Sequence, residues 1–288
     1  MLPKTSIVIP AKNESEGLRK LLPELFRLYP DLLEVIVVND GSTDDTEKVS
    51  LDFGAVVVNH KYSRGNGASI KSGTRKSKGE YICFMDADGQ HKPESVSRLL
   101  VKLEEGFDMV VGERASVSQA NKGRLIANKL YNYFASLIAN YPVKDLTSGL
   151  RCVKSEKFRE FLHLLPNGFS YPTTITMVFL RTGYQIEYLL EDVSSDRLGK
   201  SHISPLKDGL KFLIILFKIG TLYSPLKVFS SISALLFLVA FGYYIFTFLT
   251  DNTLTNMSVI LFTSSLIIFL IGLVSEQINS LMYMKKED

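Results

Sequence analysis

The sequence contains no tryptophan and only two cysteines, Cys83 and Cys152, in 288 residues. Two cysteines without paired spacing cannot frame a zinc ribbon or a disulfide-rich scaffold, so they are expected to be reduced thiols packed in a core. An excess of charge of one sign is also missing: 33 Lys and Arg against 30 Asp and Glu leave a formal net charge of +3. Binding a phosphate backbone needs a concentrated basic face, so no nucleic-acid partner is expected. No internal repeat or low-complexity tract interrupts the chain. Nor is there a signal-peptide apolar region at the start, where Met1-Leu2-Pro3-Lys4-Thr5 runs straight into a strand-like segment. The N-terminal part is therefore expected to stay cytoplasmic.

What is present is unevenly distributed. Residues 228–250 and 252–275 carry no charge, and only Asp251 separates them. Each run exceeds the roughly 20 helical residues that cross a hydrocarbon core. Two transmembrane helices are expected at about 228–250 and 254–275, joined as an antiparallel hairpin by the polar turn around Asp251. Lys207, Lys211, Lys218 and Lys227 precede the hairpin, and Lys285 and Lys286 follow it. The positive-inside bias then places both ends, and the C-terminal tail, in the cytoplasm of a plasma or inner membrane. A pair of buried soluble helices is the alternative, but a globular core rarely needs uncharged runs this long. Residues 205–221 space Lys among Leu, Phe and Ile, as an interfacial amphipathic helix does, although a helix docked on a soluble domain would read the same. The expected division is a catalytic domain over 1–203, an interfacial region over 204–225 and the hairpin over 226–288.

The first two hundred residues alternate short apolar strands with amphipathic helical stretches, which predicts an α/β domain. Strands are expected at 5–9, 34–38, 55–58 and 81–85. Their nearly all-apolar content fits a mostly parallel sheet covered on both faces. Asn13 followed by Glu16 predicts a capping box, with Leu18, Leu21, Leu22 and Leu25 as the buried face of the helix behind it. Another helix is expected at 69–76.

In such a sheet, ligands gather beyond the carboxyl ends of the strands. Those ends are unusually polar: Pro10-Ala11-Lys12-Asn13-Glu14, Asn39-Asp40-Gly41-Ser42 and Asp86-Ala87-Asp88-Gly89-Gln90. Asp86 and Asp88, one residue apart at a strand end, can share a hard cation such as Mg2+ with nucleotide phosphates, and Gln90 offers a further oxygen. Taken alone, Asp-x-Asp recurs by chance and often caps a turn. The glycine-rich stretch Ser63-Arg64-Gly65-Asn66-Gly67-Ala68-Ser69 is expected to turn backbone N–H groups toward an anion. It lacks the Lys-Ser/Thr ending of a P-loop and does not open the first βα unit, which argues against kinase and dehydrogenase readings.

Taken in order, Ile7-Val8-Ile9-Pro10-Ala11-Lys12-Asn13-Glu14, Val37-Val38-Asn39-Asp40-Gly41-Ser42-Thr43-Asp44 and Phe84-Met85-Asp86-Ala87-Asp88-Gly89-Gln90-His91 resemble family 2 glycosyltransferases of the GT-A fold. The likeness extends over roughly residues 5–203 and is nearest to the polyprenyl-phosphate sugar synthases, among which a bacterial subgroup carries a similar hairpin. The resemblance implies that Pro10, Lys12, Glu14, Val38 and Asp40 line the base and ribose pocket. It implies that Asp86, Ala87 and Asp88 hold ribose and diphosphate, with Asp86, Asp88 and Gln90 at an Mg2+ or Mn2+ ion. Arg114 matches an arginine near the donor sugar and phosphates. Arg197 and Lys200 match a mobile phosphate clamp, and Arg124 and Asn128 would face the acceptor phosphate. Asp145-Leu146-Thr147-Ser148-Gly149-Leu150-Arg151 also matches the family pattern and is placed on the sugar-facing wall, where its alternative is a turn closed by Gly149. Lys12 stands where an aromatic is common, and Asn66 where Lys is frequent.

The implied reaction is inverting transfer of a hexose from a UDP- or GDP-sugar to a polyprenyl phosphate. That acceptor is already ionised, so positioning and charge are expected to suffice without a general base. A processive polysaccharide synthase would carry a Gln-x-x-Arg-Trp motif, which a chain without Trp cannot. Transfer to a lipid-linked or glycan hydroxyl would need a base, for which Asp145 or Glu113 are candidates. A noncatalytic nucleotide-sugar-binding membrane module is the rival from another class. A homo-oligomer would bury the lipid-facing surface of so small a hairpin.

Overall fold

The computed structural model describes residues 4–89, 91–114, 122–168, 171–191, 217, 220, 221 and 223–283. The chain divides into two compact units, Met1–Ser136 with Tyr141–His202 and Leu137–Asn140 with Ile203–Asp288.

The first unit is built on a seven-stranded sheet in the order β3-β2-β1-β4-β6-β5-β7. Its strands are β1 (Thr5–Ala11), β2 (Glu34–Asn39), β3 (Val56–Asn59), β4 (Tyr81–Phe84), β5 (Met109–Arg114), β6 (Arg151–Lys154) and β7 (Ile186–Glu191). All pairings are parallel except those of β6, which runs antiparallel between β4 and β5. Connecting helices are α1 (Ser15–Leu28), α2 (Thr46–Asp52), α3 (Asn66–Lys76), α4 (Ser95–Glu104), α5 (Lys122–Ala139), α6 (Ser155–Glu160) and α7 (Tyr171–Arg181). The mostly parallel α/β sheet is thus the one its apolar runs predict. Ile7, Val8 and Ile9 are fully buried because the central strand is covered on both faces. Leu18, Leu21, Leu22 and Leu25 form the buried stripe of α1 against the core. Truncating one such leucine to alanine costs about 2–5 kcal/mol, so this stripe alone sets the seat of α1.

Two local expectations are corrected. The start of α1 is not a capping box: the N-cap is Glu14, and its side chain makes no capping hydrogen bond. Asn13 takes a left-handed backbone with φ of 56°. The first amides are satisfied from the β2–α2 loop and the first residue of α2 instead, with Asn13 N donating to Ser42 Oγ (2.9 Å), Glu14 N to Thr46 Oγ1 (3.0 Å) and Ser15 N to Asp44 Oδ2 (3.1 Å). Asn13 Oδ1 in turn accepts from Thr43 N at 2.8 Å. The polar ends of β1 and β2 are therefore stitched to each other. Second, Cys83 and Cys152 are joined as a disulfide across β4 and β6. The antiparallel register sets them directly opposite one another, a proximity that no sequence spacing reveals.

In the second unit, α8 (Pro225–Asp251) and α9 (Asn256–Tyr283) form an antiparallel pair. Each is long and apolar enough to cross a bilayer. Asn252 closes α8 in a left-handed conformation, its N–H reaching back to Phe248 O. Between the helices Ser233 Oγ donates to Ser265 O (2.8 Å) and Ser265 Oγ to Ser233 O (3.0 Å). Gly272 leaves space taken by the Phe229 ring. Small and hydroxyl side chains at the seam are the packing that helices adopt where lipid removes the hydrophobic drive between them. The large apolar residues point outward, with Leu249 78% and Leu235 66% exposed, so these are not the buried helices of a soluble core.

Candidate active site

The carboxyl ends of β1, β2 and β4 open into one cavity of about 500 Å3. Pro10, Lys12 and Glu14 line it from the end of β1, Asp40 from β2, and Asp86, Ala87 and Asp88 from β4. The remaining wall comes from Ser63, Gly65, Asn66 and Ser69, from Thr147 and Gly149, and from Tyr171 and Pro172. Seven residues named from the sequence thus converge on one opening. Val38 does not line it: its side chain is fully buried in the sheet, facing Gly73 of α3. Gln90, Arg197 and Lys200 lie outside the described residues. So do the side chains of Arg124 and Asn128, whose backbone belongs to α5.

Asp40 is the most heavily engaged of these groups. Oδ1 lies 2.7 Å from His60 Nδ1 and accepts from Arg64 N at 2.8 Å. Oδ2 accepts from Ser63 Oγ at 2.8 Å and from Gly65 N at 2.9 Å. Burial opposes its charge, but the hydrogen bonds from Arg64, His60, Gly65 and Ser63 outweigh burial and lower its pKa to about 2. A carboxylate has about four acceptor positions. In this geometry all are used within the protein, so Asp40 anchors the glycine-rich loop from the cavity wall.

The glycine-rich loop itself departs from expectation. Besides the two amides spent on Asp40, Gly67 N donates to Gly168 O (3.2 Å) and Ala68 N to Asn167 O (3.1 Å). Lys71 Nζ donates to Leu165 O and Asn167 Oδ1. A Cβ at Gly67 would stand 2.0 Å from Pro166 O, and one at Gly65, where φ is 98°, 2.5 Å from Asn167 O. The glycines admit the 166–168 strand of backbone. The loop is a clasp with its amides closed inward, not an anion cradle. Asn66 faces the cavity from this clasp, with Oδ1 buried and unpaired.

The opposite wall is arranged differently. Gly149 packs directly on the Asp86 carboxylate: a Cβ there would lie 2.0 Å from Oδ2. Arg114, at the end of β5, is held by Asp145 through Nε (2.8 Å) and an Nη (3.0 Å), and by Thr147 Oγ1 (2.6 Å). Burial disfavours the Arg114 charge, yet the Asp145 hydrogen bonds and the nearby Asp145, Asp86 and Asp88 carboxylates prevail and raise its pKa. For Asp145 burial favours the neutral form, and the bonds and charge of Arg114 overcome it, keeping the carboxylate ionised. A carboxylate tied up in this way is a poor general base. His91 is buried beside this group with Nδ1 unpaired. Burial, only partly countered by Asp88, lowers its pKa to about 4, so it is neutral near pH 7.

Among the described residues no group of three or more His, Cys, Asp or Glu side chains is placed to hold a metal ion. Asp86 and Asp88 offer two carboxylates at the cavity, a donor set that a hard cation could share with phosphate oxygens. Sequence reading missed Tyr171 and Pro172 as wall residues. Only an aromatic followed by a proline at a helix start marked them, which is a weak signal.

Comparison with known proteins agrees with this architecture. Residues 6–162 match the family model of glycosyl transferase family 2, and residues 224–281 match the GtrB C-terminal hairpin. The chain is 27% identical over 217 residues to polyprenol monophosphomannose synthase of Mycolicibacterium smegmatis, covering 70% of this chain and 81% of that protein. It is 31% identical over 193 residues to undecaprenyl-phosphate 4-deoxy-4-formamido-L-arabinose transferase of Pseudomonas savastanoi, covering 60% and 56%. Glucosyl-3-phosphoglycerate synthase of Mycobacterium tuberculosis, crystallised with Mn2+, uridine diphosphate and glucosyl-3-phosphoglycerate, shares the fold with a TM-score of 0.59 at 22% identity, covering 75% of this chain and 78% of that one. With its family model spanning more than half of the sequence, the chain belongs to glycosyl transferase family 2.

Proposed function

We propose that the protein transfers a hexose from a UDP- or GDP-sugar to a polyprenyl phosphate, with inversion, at the cytoplasmic face of a membrane. The observation that carries this reading is the convergence of Asp86, Asp88 and the β1 and β2 ends on one cavity, in a chain that also bears a hairpin long and apolar enough to cross a membrane. Relatives that act on polyprenol and undecaprenyl phosphate support the acceptor class.

The donor nucleotide lies against Pro10, Lys12 and Glu14, with its diphosphate at Asp86, Ala87 and Asp88. A divalent cation, Mg2+ or Mn2+, held by Asp86, Asp88 and Gln90 would neutralise the departing nucleoside diphosphate. The Mn2+ of the structural neighbour is in keeping with this choice. An acceptor phosphate oxygen attacks the anomeric carbon as the bond to the diphosphate oxygen breaks on the opposite side. The acceptor brings its own negative charge, so no side chain need remove a proton. Arg114, oriented by Asp145 and Thr147, adds positive charge beside the carboxylates, and Arg124, Asn128, Arg197 and Lys200 hold the attacking phosphate in line. The sequestered Asp145 counts against a hydroxyl acceptor that needs a base. The lysines flanking the hairpin orient both termini and residues 1–203 to the cytoplasm, with 204–225 along the headgroups and 226–288 as anchor. Copies of the hairpin associating into a homo-oligomer would cover part of its lipid-facing surface.

The test is transfer of radiolabelled sugar from a panel of UDP- and GDP-sugars to undecaprenyl phosphate in detergent, with Mg2+ or Mn2+, for wild type and Asp88→Ala. A metal-dependent, chloroform-soluble product that falls by roughly 10²–10³-fold in the variant is expected. Donor and metal binding without turnover on any lipid phosphate would instead favour the noncatalytic module.

A further inference from the structure

Among the described residues Arg151 is one of the largest fully buried side chains, and it carries its charge to a position beneath the 147–149 turn and the start of α7. Its hydrogen bonds go to neutral groups: one Nη donates to Pro172 O (3.0 Å) and Thr176 Oγ1 (3.2 Å), the other to Ser148 O (2.7 Å). Nε is buried with no acceptor, and among the described residues Arg151 makes no ion pair. The guanidinium also lies 5.9 Å from the centre of the Tyr171 ring.

These acceptors are not scattered. Ser148 sits between Thr147 and Gly149, which form one wall of the donor cavity, and Pro172 belongs with Tyr171 to another. Gly149 is the residue whose backbone rests on the Asp86 carboxylate. Arg151 pairs in register with Phe84, two residues before Asp86. A buried cation without a carboxylate partner is costly, and an apolar side chain of similar volume would generally be as good or better for stability alone. What an apolar residue cannot do is tie two separate stretches of backbone together, whereas the planar fork of a guanidinium can. Burial disfavours the Arg151 charge and lowers its pKa, and the Asp145 and Asp86 carboxylates only partly oppose this.

We propose that Arg151 is a positioning residue: it clamps the Ser148 wall to the start of α7 and so holds Gly149 against Asp86, fixing the direction in which that carboxylate meets the donor diphosphate and its cation. This rests on the donor site proposed above. Loss of the clamp acts through Asp86, so it should resemble loss of a supporting hydrogen bond at a metal ligand. Such losses weaken metal affinity or activity by roughly 10–100-fold.

The experiment compares full-length wild type, Arg151→Met, Arg151→Lys and Thr176→Val in detergent by two measurements. Amide hydrogen exchange follows residues 148–150 and 172–176, with 36–38 in β2 as the internal control. Electron paramagnetic resonance of free Mn2+ in the presence of UDP or GDP gives metal affinity, alongside kcat and KM for the donor sugar. In Arg151→Met both wall segments should exchange faster while β2 does not, and Mn2+ affinity should fall roughly 10–100-fold with kcat reduced more than KM changes. Arg151→Lys keeps the charge but reaches one wall, so it should recover part of both losses. A folded Arg151→Met that exchanges like wild type, or whose walls loosen without any change in Mn2+ affinity, overturns the proposal. If Arg151→Met does not fold, Thr176→Val decides, since the clamp predicts smaller changes of the same two kinds and their absence refutes it. Wild type that binds neither UDP nor GDP would sink the donor site itself, and the exchange comparison would then show whether the clamp stands without it.

Discussion

Two sides of the same cavity are built on opposite plans. On the β2 side the carboxylate and the loop amides are spent internally: Asp40 uses both oxygens twice, and the amides of residues 64, 65, 67 and 68 are all donated to protein acceptors. On the β4 side, Asp86 and Asp88 face the opening, Gly149 lines it against the Asp86 carboxylate, and the Arg114–Asp145 pair stands beside them. The first side is closed on itself, and the second turns its carboxylates to the opening. The difference teaches that a polar motif at a strand end is not evidence of ligand contact until its hydrogen bonds have been counted.

Substitutions on the two sides should therefore separate rate from stability. The largest effect is expected from Gly149→Ala, whose methyl would displace the Asp86 carboxylate: transfer should fall by roughly 10²-fold with the melting temperature little changed. An equal loss of melting temperature would mean that this wall is scaffold after all. Next comes Asp40→Asn, which leaves backbone donors unmatched and should lower stability by about 1–3 kcal/mol in thermal melts while residual activity at low temperature persists.

The same group gives a pH prediction. Its folded pKa of about 2 lies below the ordinary value of 3.8, so its stabilisation is complete above about pH 4 and is lost as pH falls toward 2. The wild-type melting temperature should decline over that window, and the part of the decline due to Asp40 should vanish in Asp40→Asn. An identical slope in both proteins would remove Asp40 as its source. The smallest effect is expected in the hairpin, where Ser233→Ala removes one of two reciprocal bonds and should cost about 0.6 kcal/mol, measurable as a slight loss of hairpin stability in micelles. A loss several times larger would show that this seam resembles the β2 side in its reliance on polar closure.

Much of this was readable beforehand. Apolar runs located β1, β2 and β4 to within a residue or two, because strands buried on both faces admit little else. The uncharged stretches announced α8 and α9 for the same kind of reason, though both helices extend past their uncharged centres into polar residues such as Glu276. The carboxylates at the strand ends were legible because topology brings those ends together. What sequence could not show was contact at a distance. Asp40 is consumed by residues twenty or more positions away, and Asn13 is claimed by the β2–α2 loop before it can cap its own helix. The reversed course of β6 between β4 and β5 depends on pairing rather than local pattern. Arg151 reads as a surface residue by type, and only its register opposite Phe84 carries it inside.

The bond between Cys83 and Cys152 reaches further than the two strands it joins. Disulfides are uncommon in reducing compartments, but both sulfurs here belong to fully buried residues and are shielded from exchange with small thiols. The bond closes a covalent ring that contains the Asp86-Ala87-Asp88 turn, β5 and α5. A protease that nicks the chain once anywhere within that ring would leave a protein that migrates as a single species on a denaturing gel and parts into two fragments only after reduction.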